Sequence, residues 1–247
     1  MKQYDAYIFD LYGTLIDIHT DETRPAFWRA MAAYFTAQGT VYTPSALRER
    51  YLSLCREEND RLCREQACTQ DVVEIDLSPV FEALLSQVGG IPSQAQIADA
   101  AWEFRRRSTS HLRAYAGARA LLYTLREQGR RVYLLSNAQA LFTLPELELL
   151  GLSDCFDRIY ISSDCGCRKP ARRFMERLLG EQALTPDRCL MLGNDPNADV
   201  AVAQSVGMDS FYLRSGQSPH IDPHTVPATY VQPEMDLRRL QRTLLKT

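Results

Sequence analysis

Three acids, two hydroxyls, an amide and a lysine stand where short apolar runs of this sequence end. Asp10 and Thr14 follow "AYIF", Ser136 and Asn137 close "YLLSN", Lys169 sits in "CRKP", and Asp195 follows "LMLGN" with Asp199 four residues further on. A carboxylate can attack as a nucleophile or ligate a hard cation, while hydroxyls, amides and an ammonium group can hold an anion as it reacts. Each residue also has a plainer use. Aspartate, serine and threonine cap turns and helices, "NDPNAD" has the composition of a turn entering a helix, and a lysine before proline is ordinarily a surface residue. Placement lifts the set above those uses, because in an open parallel sheet ligands gather outside the carboxyl ends of the strands.

The elements that would place these residues follow from periodicity. "AYIF" reads as a buried strand broken by the Gly13-Thr14 turn. From about Thr23 to about Arg113 helical periodicity takes over with no convincing strand, through "RPAFWRAMAAYFTAQG", "TPSALRERYLSLCREENDRLCREQ", "SPVFEALLSQVGG" and "SQAQIADAAWEFRRRSTSHL". Ser/Thr-Pro starts and Gly ends punctuate these segments as helix termini require. After "AYAG", helices alternate with the strands "RVYLLSN", "DRIYISS", "RCLMLGND" and "DSFYL", followed by a short "ATYV" and a closing helix "EMDLRRLQRTLL". Such alternation gives right-handed crossovers and a mostly parallel sheet covered on both faces. The expected fold is α/β: a Rossmann-like three-layer core of residues 1–18 and 115–247, with a helical-bundle cap inserted over residues 19–114.

Bulk composition narrows the function classes. With 28 Lys+Arg against 31 Asp+Glu, the net charge of -3 gives no electrostatic case for nucleic acid or an anionic membrane as partner. The arginine runs at Arg105 to Arg107, Arg130 and Arg131, and Arg172 and Arg173 read as solvated faces. No run approaches the roughly 18 apolar residues of a membrane span, and "MKQYDAYIFD" enters the first strand without room for a leader, so a cytoplasmic protein is expected. The seven cysteines, Cys55, Cys63, Cys68, Cys155, Cys165, Cys167 and Cys189, lack framework spacing and read as reduced thiols. Cys165 and Cys167 lack the second pair of a zinc site. His220 and His224 lie among prolines that forbid the helix needed to align them. Monomer and homodimer both stay open.

Taken together and in order, the four polar strand ends resemble the haloacid dehalogenase superfamily of aspartate-nucleophile hydrolases, over the whole length and with a cap inserted after the first motif. That resemblance implies roles. Asp10 would be the nucleophile, forming a covalent aspartyl intermediate that water hydrolyses. Thr14 and Ser136, with Asn137 beside the latter in the same catalytic set, would hydrogen-bond the transferred anion, and Lys169 would supply a fixed positive charge. The implied cofactor is Mg²⁺, held by Asp10, the backbone carbonyl of Tyr12, Asp195 and Asp199.

Tyr12 departs from the pattern. Most superfamily phosphatases carry a second acid there, which protonates the leaving group. Asp-x-Tyr-Gly-Thr instead resembles the 2-haloacid dehalogenase branch, which expels halide and needs no such proton. Charge separates the readings. A haloacid is a monoanion, so Asp195 and Asp199 beside Asp10 would add uncompensated negative charge, whereas a phosphate ester brings about two more negative charges that a divalent ion and Lys169 can offset. The fourth motif therefore favours a Mg²⁺-dependent phosphatase acting on a small phosphorylated metabolite. Phe174 and Met175, where the dehalogenase branch has a tyrosine, agree. The alternatives are a metal-free 2-haloacid dehalogenase, towards which Asn194 leans, and a phosphate-binding or regulatory protein with little turnover. Trp28, Tyr34, Arg50, Tyr51 and Trp102 are the cap's candidates for substrate contact, each with bundle packing as its plainer use.

Overall fold

Largely apolar runs of three to six residues make the strands of the main sheet, and apolar stripes at helical spacing cover them. In the computed structural model, which describes residues 1–66, 69–86 and 90–245, the chain runs β1 (Ala6–Phe9), β2 (Ile16–Thr20), α1 (Pro25–Ala37), α2 (Pro44–Gln66), α3 (Ser78–Leu85) and α4 (Gln94–Ser108). It continues with β3 (Thr109–Ala114), α5 (Ala118–Glu127), β4 (Arg131–Ser136), α6 (Ala140–Leu149), β5 (Arg158–Ile161), α7 (Arg172–Glu181) and β6 (Cys189–Gly193). A π-turn over Pro196–Val200 leads into α8 (Ala201–Ser205), then come β7 (Asp209–Leu213), β8 (Tyr230–Gln232) and α9 (Leu237–Leu244). Cys68 and the tail of the third expected helix lie outside the described residues.

Six strands form a sheet in the order β5-β4-β1-β6-β7-β8, and every pair in it is parallel. Side chains of a strand alternate between faces, so β1 serves two cores at once. Tyr7 and Phe9 pack with Leu121, Leu122 and Leu125 of α5 and Leu237 and Leu240 of α9. Ala6 and Ile8 pack with Phe174, Met175 and Leu178 of α7 and Val202 and Ala203 of α8. Each such fully buried large side chain contributes about 1.5–3 kcal/mol through removal from water. The doubly covered sheet is the expected α/β architecture, and it leaves the strand ends as the natural place for chemistry.

Helices α1 to α4 bury an aromatic cluster of their own around Phe27, Trp28, Phe35, Phe81 and Phe104. Phe142 of α6 joins it, its ring stacked on Phe104 at 6.3 Å. The helical segment therefore packs directly on a helix of the sheet-bearing part.

The sequence reading missed two strands. β2 and β3 pair antiparallel, from Ile16 opposite Ala114 to Thr20 opposite Thr109, forming the two-stranded stem through which the chain enters and leaves the helices. The fourth helix ends at Ser108, short of the "TSHL" assigned to it, and the expected boundary between residues 18 and 19 falls inside β2. "IDIHT" and "TSHLRA" are half-exposed and polar, so pairing rather than burial makes them strands. No helix among the described residues is long and apolar enough to cross a membrane, and no disulfide forms among the described cysteines.

Candidate active site

Asp10 follows β1, and its N–H still donates to Leu192 O of β6 at 2.9 Å, so the sheet holds the residue's backbone. The chain then turns sharply: the N–H groups of Leu15 and Ile16 both return to Leu11 O, and Gly13 takes φ +81°, a conformation that favours glycine. A Cβ at Gly13 would land on the Asn194 carboxamide. The turn brings Thr14 back over the nucleophile candidate, where Thr14 Oγ1 donates to Asp10 Oδ2 at 3.0 Å.

Lys169 reaches the same carboxylate from the other side. Its Nζ donates to Asp10 Oδ1, to Asp199 Oδ1, each at 2.7 Å, and to Leu135 O at 2.8 Å, so all three of its protons are engaged. Asn137 fixes the backbone that carries it: Nδ2 donates to Lys169 O at 3.0 Å and Oδ1 accepts from Lys169 N at 2.7 Å. Asn137, grouped with the catalytic residues on sequence, thus spends its amide on holding Lys169. The lysine is buried, which disfavours its charge, but the two carboxylates outweigh burial and hold its pKa above the ordinary value. Asp199 is also buried, and burial together with Asp10 pushes its carboxyl up, to about 7, against the pull of Lys169. Asp199 Oδ2 accepts from Asp195 N at 2.9 Å. This packing requires Gly193, where a Cβ would collide with the Asp199 carboxylate.

The expected metal acids are arranged differently from the sequence reading. Asp195 borders the cavity, but its Oδ1 accepts from Asn197 N at 2.8 Å as the cap of the following turn. Both oxygens of Asp199 are engaged as just described. The side chain facing the nucleophile is Asn194, whose inward amide atom lies 3.0 Å from Tyr12 O, 3.3 Å from Asp10 Oδ2 and 3.2 Å from Thr14 Oγ1. A nitrogen there, with two protons, has three acceptors within reach. In the other orientation the amide oxygen lies with Tyr12 O and Asp10 Oδ2, three oxygens that would hold a hard cation. The donor set is all oxygen with a single carboxylate, which fits Mg²⁺, an ion that keeps several waters.

A cavity of about 180 Å³ opens here, bordered by Asp10, Tyr12, Asn137, Lys169, Asn194, Asp199 and Gln217. Ser136, which is not among the residues bordering the cavity, ends β4 fully buried, with an Oγ that has no partner. Such an orphaned hydroxyl is costly unless something accepts from or donates to it. Gln217, which the sequence reading did not single out, is held by Asp17 of β2 (Nε2 to Oδ1, 3.0 Å). Asp17 in turn pairs with His111 and Arg113 of β3. The Tyr12 hydroxyl is tied to α6, where Glu146 takes it at 2.5 Å, and burial followed by the Glu146 charge pushes its pKa further up. Tyr12 is therefore an even poorer acid than an ordinary tyrosine.

None of the cap candidates borders this cavity. Trp28 is buried among the helices, Tyr51 stacks on Phe104, Tyr34 donates to Asp99, and Arg50 pairs with Glu57 at the surface. Trp102 lies on α4, half-buried and away from the cavity lining. Arg105, expected on a solvated face, is instead drawn in by Glu146, with its side chain only 14% exposed. Its neighbour Arg106 does lie in solvent, paired with Glu103. Glu146 had one available signal: an acid on the same helical face as Phe142, four residues before it.

The family model of the haloacid dehalogenase-like hydrolases matches residues 4–207, which takes in Asp10, Thr14, Ser136, Lys169 and Asp199. The chain belongs to the haloacid dehalogenase-like hydrolases. Among curated relatives, a phosphoserine phosphatase of Thermus thermophilus is 30% identical over 149 residues, 60% of this chain and 58% of that enzyme. The matched stretch thus spans little more than half of that relative. The magnesium-bound structure of YfnB from Bacillus subtilis superposes with a TM-score of 0.54 at 21% identity, covering 98% of this chain and 99% of that one. A dehalogenase solved with an intermediate superposes with a TM-score of 0.59 at 18% identity, covering 100% of each chain. At these identities the two structures establish the fold. This family member accordingly joins a parallel α/β core to an additional helical segment.

Proposed function

We propose that this hydrolase is a Mg²⁺-dependent phosphatase acting on a small phosphorylated metabolite, with Asp10 as its nucleophile. The observation that carries the reading is the charge balance around Lys169. Two carboxylates already engage its ammonium, so Asp10, Asp199 and Lys169 sum to at most one negative charge, and a phosphate ester adds about two more. Asp10, Tyr12 O and, with its oxygen turned inward, Asn194 would hold a divalent cation, which would supply the positive charge that makes this approach tolerable. The phosphatase name of the Thermus relative supports the same substrate class.

In this reading Lys169 and Thr14 hold the Asp10 carboxylate by its two oxygens and fix its line of attack. An Asp10 oxygen attacks phosphorus as the bond to the leaving oxygen breaks, giving an aspartyl phosphate and the leaving group as its anion, which takes up a proton from solvent. Water then attacks that phosphorus, releasing phosphate and regenerating Asp10. Ser136, buried without a partner, donates to a phosphoryl oxygen, and Asn137 keeps Lys169 in place. No acid replaces Tyr12, so acidic leaving groups such as acyl and aryl phosphates are preferred; general acid–base help typically contributes about 10²–10⁴-fold. Residues 19–114 act as the cap, its stem being the β2–β3 pair, in a cytoplasmic protein without nucleic-acid or membrane partners.

One observation favours a second reading. Tyr12 and Asn194 flank Asp10 with no acid between them, which suits a metal-free 2-haloacid dehalogenase. A panel of phosphomonoesters and haloacids, with and without Mg²⁺, separates the two. Mg²⁺-dependent release of phosphate from acetyl phosphate or p-nitrophenyl phosphate is expected, and metal-independent consumption of chloroacetate alone would overturn the proposal.

A further inference from the structure

The tyrosine in the nucleophile loop closes a buried charge network that joins three distant segments of the chain. Tyr12 Oη donates to Glu146 Oε2 at 2.5 Å and lies 2.9 Å from Thr143 Oγ1, both on α6. The other oxygen of Glu146 accepts from Arg105 Nε of α4 at 2.6 Å. The Arg105 guanidinium lies between two rings, 5.5 Å from the Tyr12 centroid and 5.3 Å from that of Phe142. Glu146 is 1% exposed. A buried ion pair is weak evidence of stability, because desolvation offsets its attraction, and its better-attested use is to specify one arrangement. Here the arrangement so specified is the position of α4, a helix of the inserted segment, against the turn that carries Asp10.

We propose that Glu146 and Arg105 are positioning residues for the hydrolysis: through the Tyr12 hydroxyl, Glu146 fixes the nucleophile turn, and through Arg105 it registers the helical segment on that turn. Tyr12 is then kept for its reach to Glu146, with a leaving-group acid given up in exchange. Arg105 lies in the last turn of α4, three residues before its end at Ser108, where the chain passes into β3, so the contact sits at the base of the stem. Loss of the contact leaves Lys169, Ser136 and the anion pocket intact, but lets the Asp10 turn and the helices move independently. The consequence is a fall in kcat with little change in anion binding.

The turnover test rests on the phosphatase reading and uses the full chain with p-nitrophenyl phosphate and Mg²⁺. Tyr12→Phe keeps the ring and the ion pair and deletes one hydroxyl. It is expected to lower kcat roughly ten-fold while KM and inhibition by inorganic phosphate stay within about two-fold, the size of coupling usual for groups in one network. Glu146→Gln is expected to fall at least as far, and the double variant no further than Glu146→Gln alone. A general structural lesion would lower melting temperature and active fraction without that non-additivity. Wild-type kcat in Tyr12→Phe, or effects of the two variants that multiply, would overturn the proposal. Should Glu146→Gln fail to fold, Arg105→Lys takes its place in the cycle. If wild-type protein hydrolyses no phosphomonoester, the phosphatase reading fails by itself, and hydrogen exchange still decides the positioning role: Tyr12→Phe must speed amide exchange over residues 101–114 relative to α9, and unchanged exchange there would refute it.

Discussion

At the scale of single residues, one tight turn decides which of two neighbours meets the nucleophile. In "LGNDPNAD" both Asn194 and Asp195 can ligate a cation, and the acid was the natural choice on sequence because a hard ion favours charge. The structure gives the two different partners: β6 ends at Gly193, Asn194 lies against Asp10 and Tyr12 O, and Asp195, although it also borders the cavity, caps the next turn through Oδ1. Asp10, Thr14 and Asp199 were legible because each sits at a strand end or in the turn after one, and Lys169, well beyond β5 and just before α7, was legible through its Lys-Pro pair. The Asn194–Asp195 exchange and the role of Glu146 were not, since both depend on side-chain direction across long sequence separations. The arrangement makes a specific prediction. Asn194→Asp adds a charged ligand and should raise Mg²⁺ affinity by about ten-fold in calorimetry, because ligand charge count tunes such sites, whereas Asp195→Asn should change it less than two-fold. The opposite ranking would return the ligand role to Asp195.

At the scale of elements, close backbone approaches set the site as firmly as the side chains do. Gly193 is the last residue of β6, and the space a Cβ would occupy there holds the Asp199 carboxylate. Gly193→Ala must push Asp199 off Lys169, leaving a buried ammonium one partner short. The expected outcome is a loss of turnover of at least ten-fold with far-ultraviolet circular dichroism unchanged, because β6 remains paired on both sides with β1 and β7. Retained activity would show that the Lys169–Asp199 contact is dispensable. The alternating helices and strands of residues 115–247 were readable because buried parallel strands are continuously apolar. β2 and β3 were not: their polar, half-exposed sequences give no periodic signal, and only their mutual register makes a sheet of them.

At the scale of the whole molecule, a near-neutral α/β hydrolase gathers its candidate site at the carboxyl ends of the central strands β4, β1 and β6, in a sheet covered on both faces. The helical segment meets those strand ends through α6, the β2–β3 stem and the buried Arg105–Glu146 pair, so in the proposed account access to Asp10 and its geometry are set together. The central claim is that Asp10 takes the phosphoryl group onto itself. Protein mixed with acetyl phosphate and Mg²⁺, quenched in acid and digested, should yield the peptide bearing Asp10 heavier by one phosphoryl group. Asp10→Asn, an amide of the same shape and a poor nucleophile, should show neither the adduct nor turnover. Full turnover by Asp10→Asn, or steady phosphate release by wild-type protein with no adduct on that peptide at any quench time, would contradict the account.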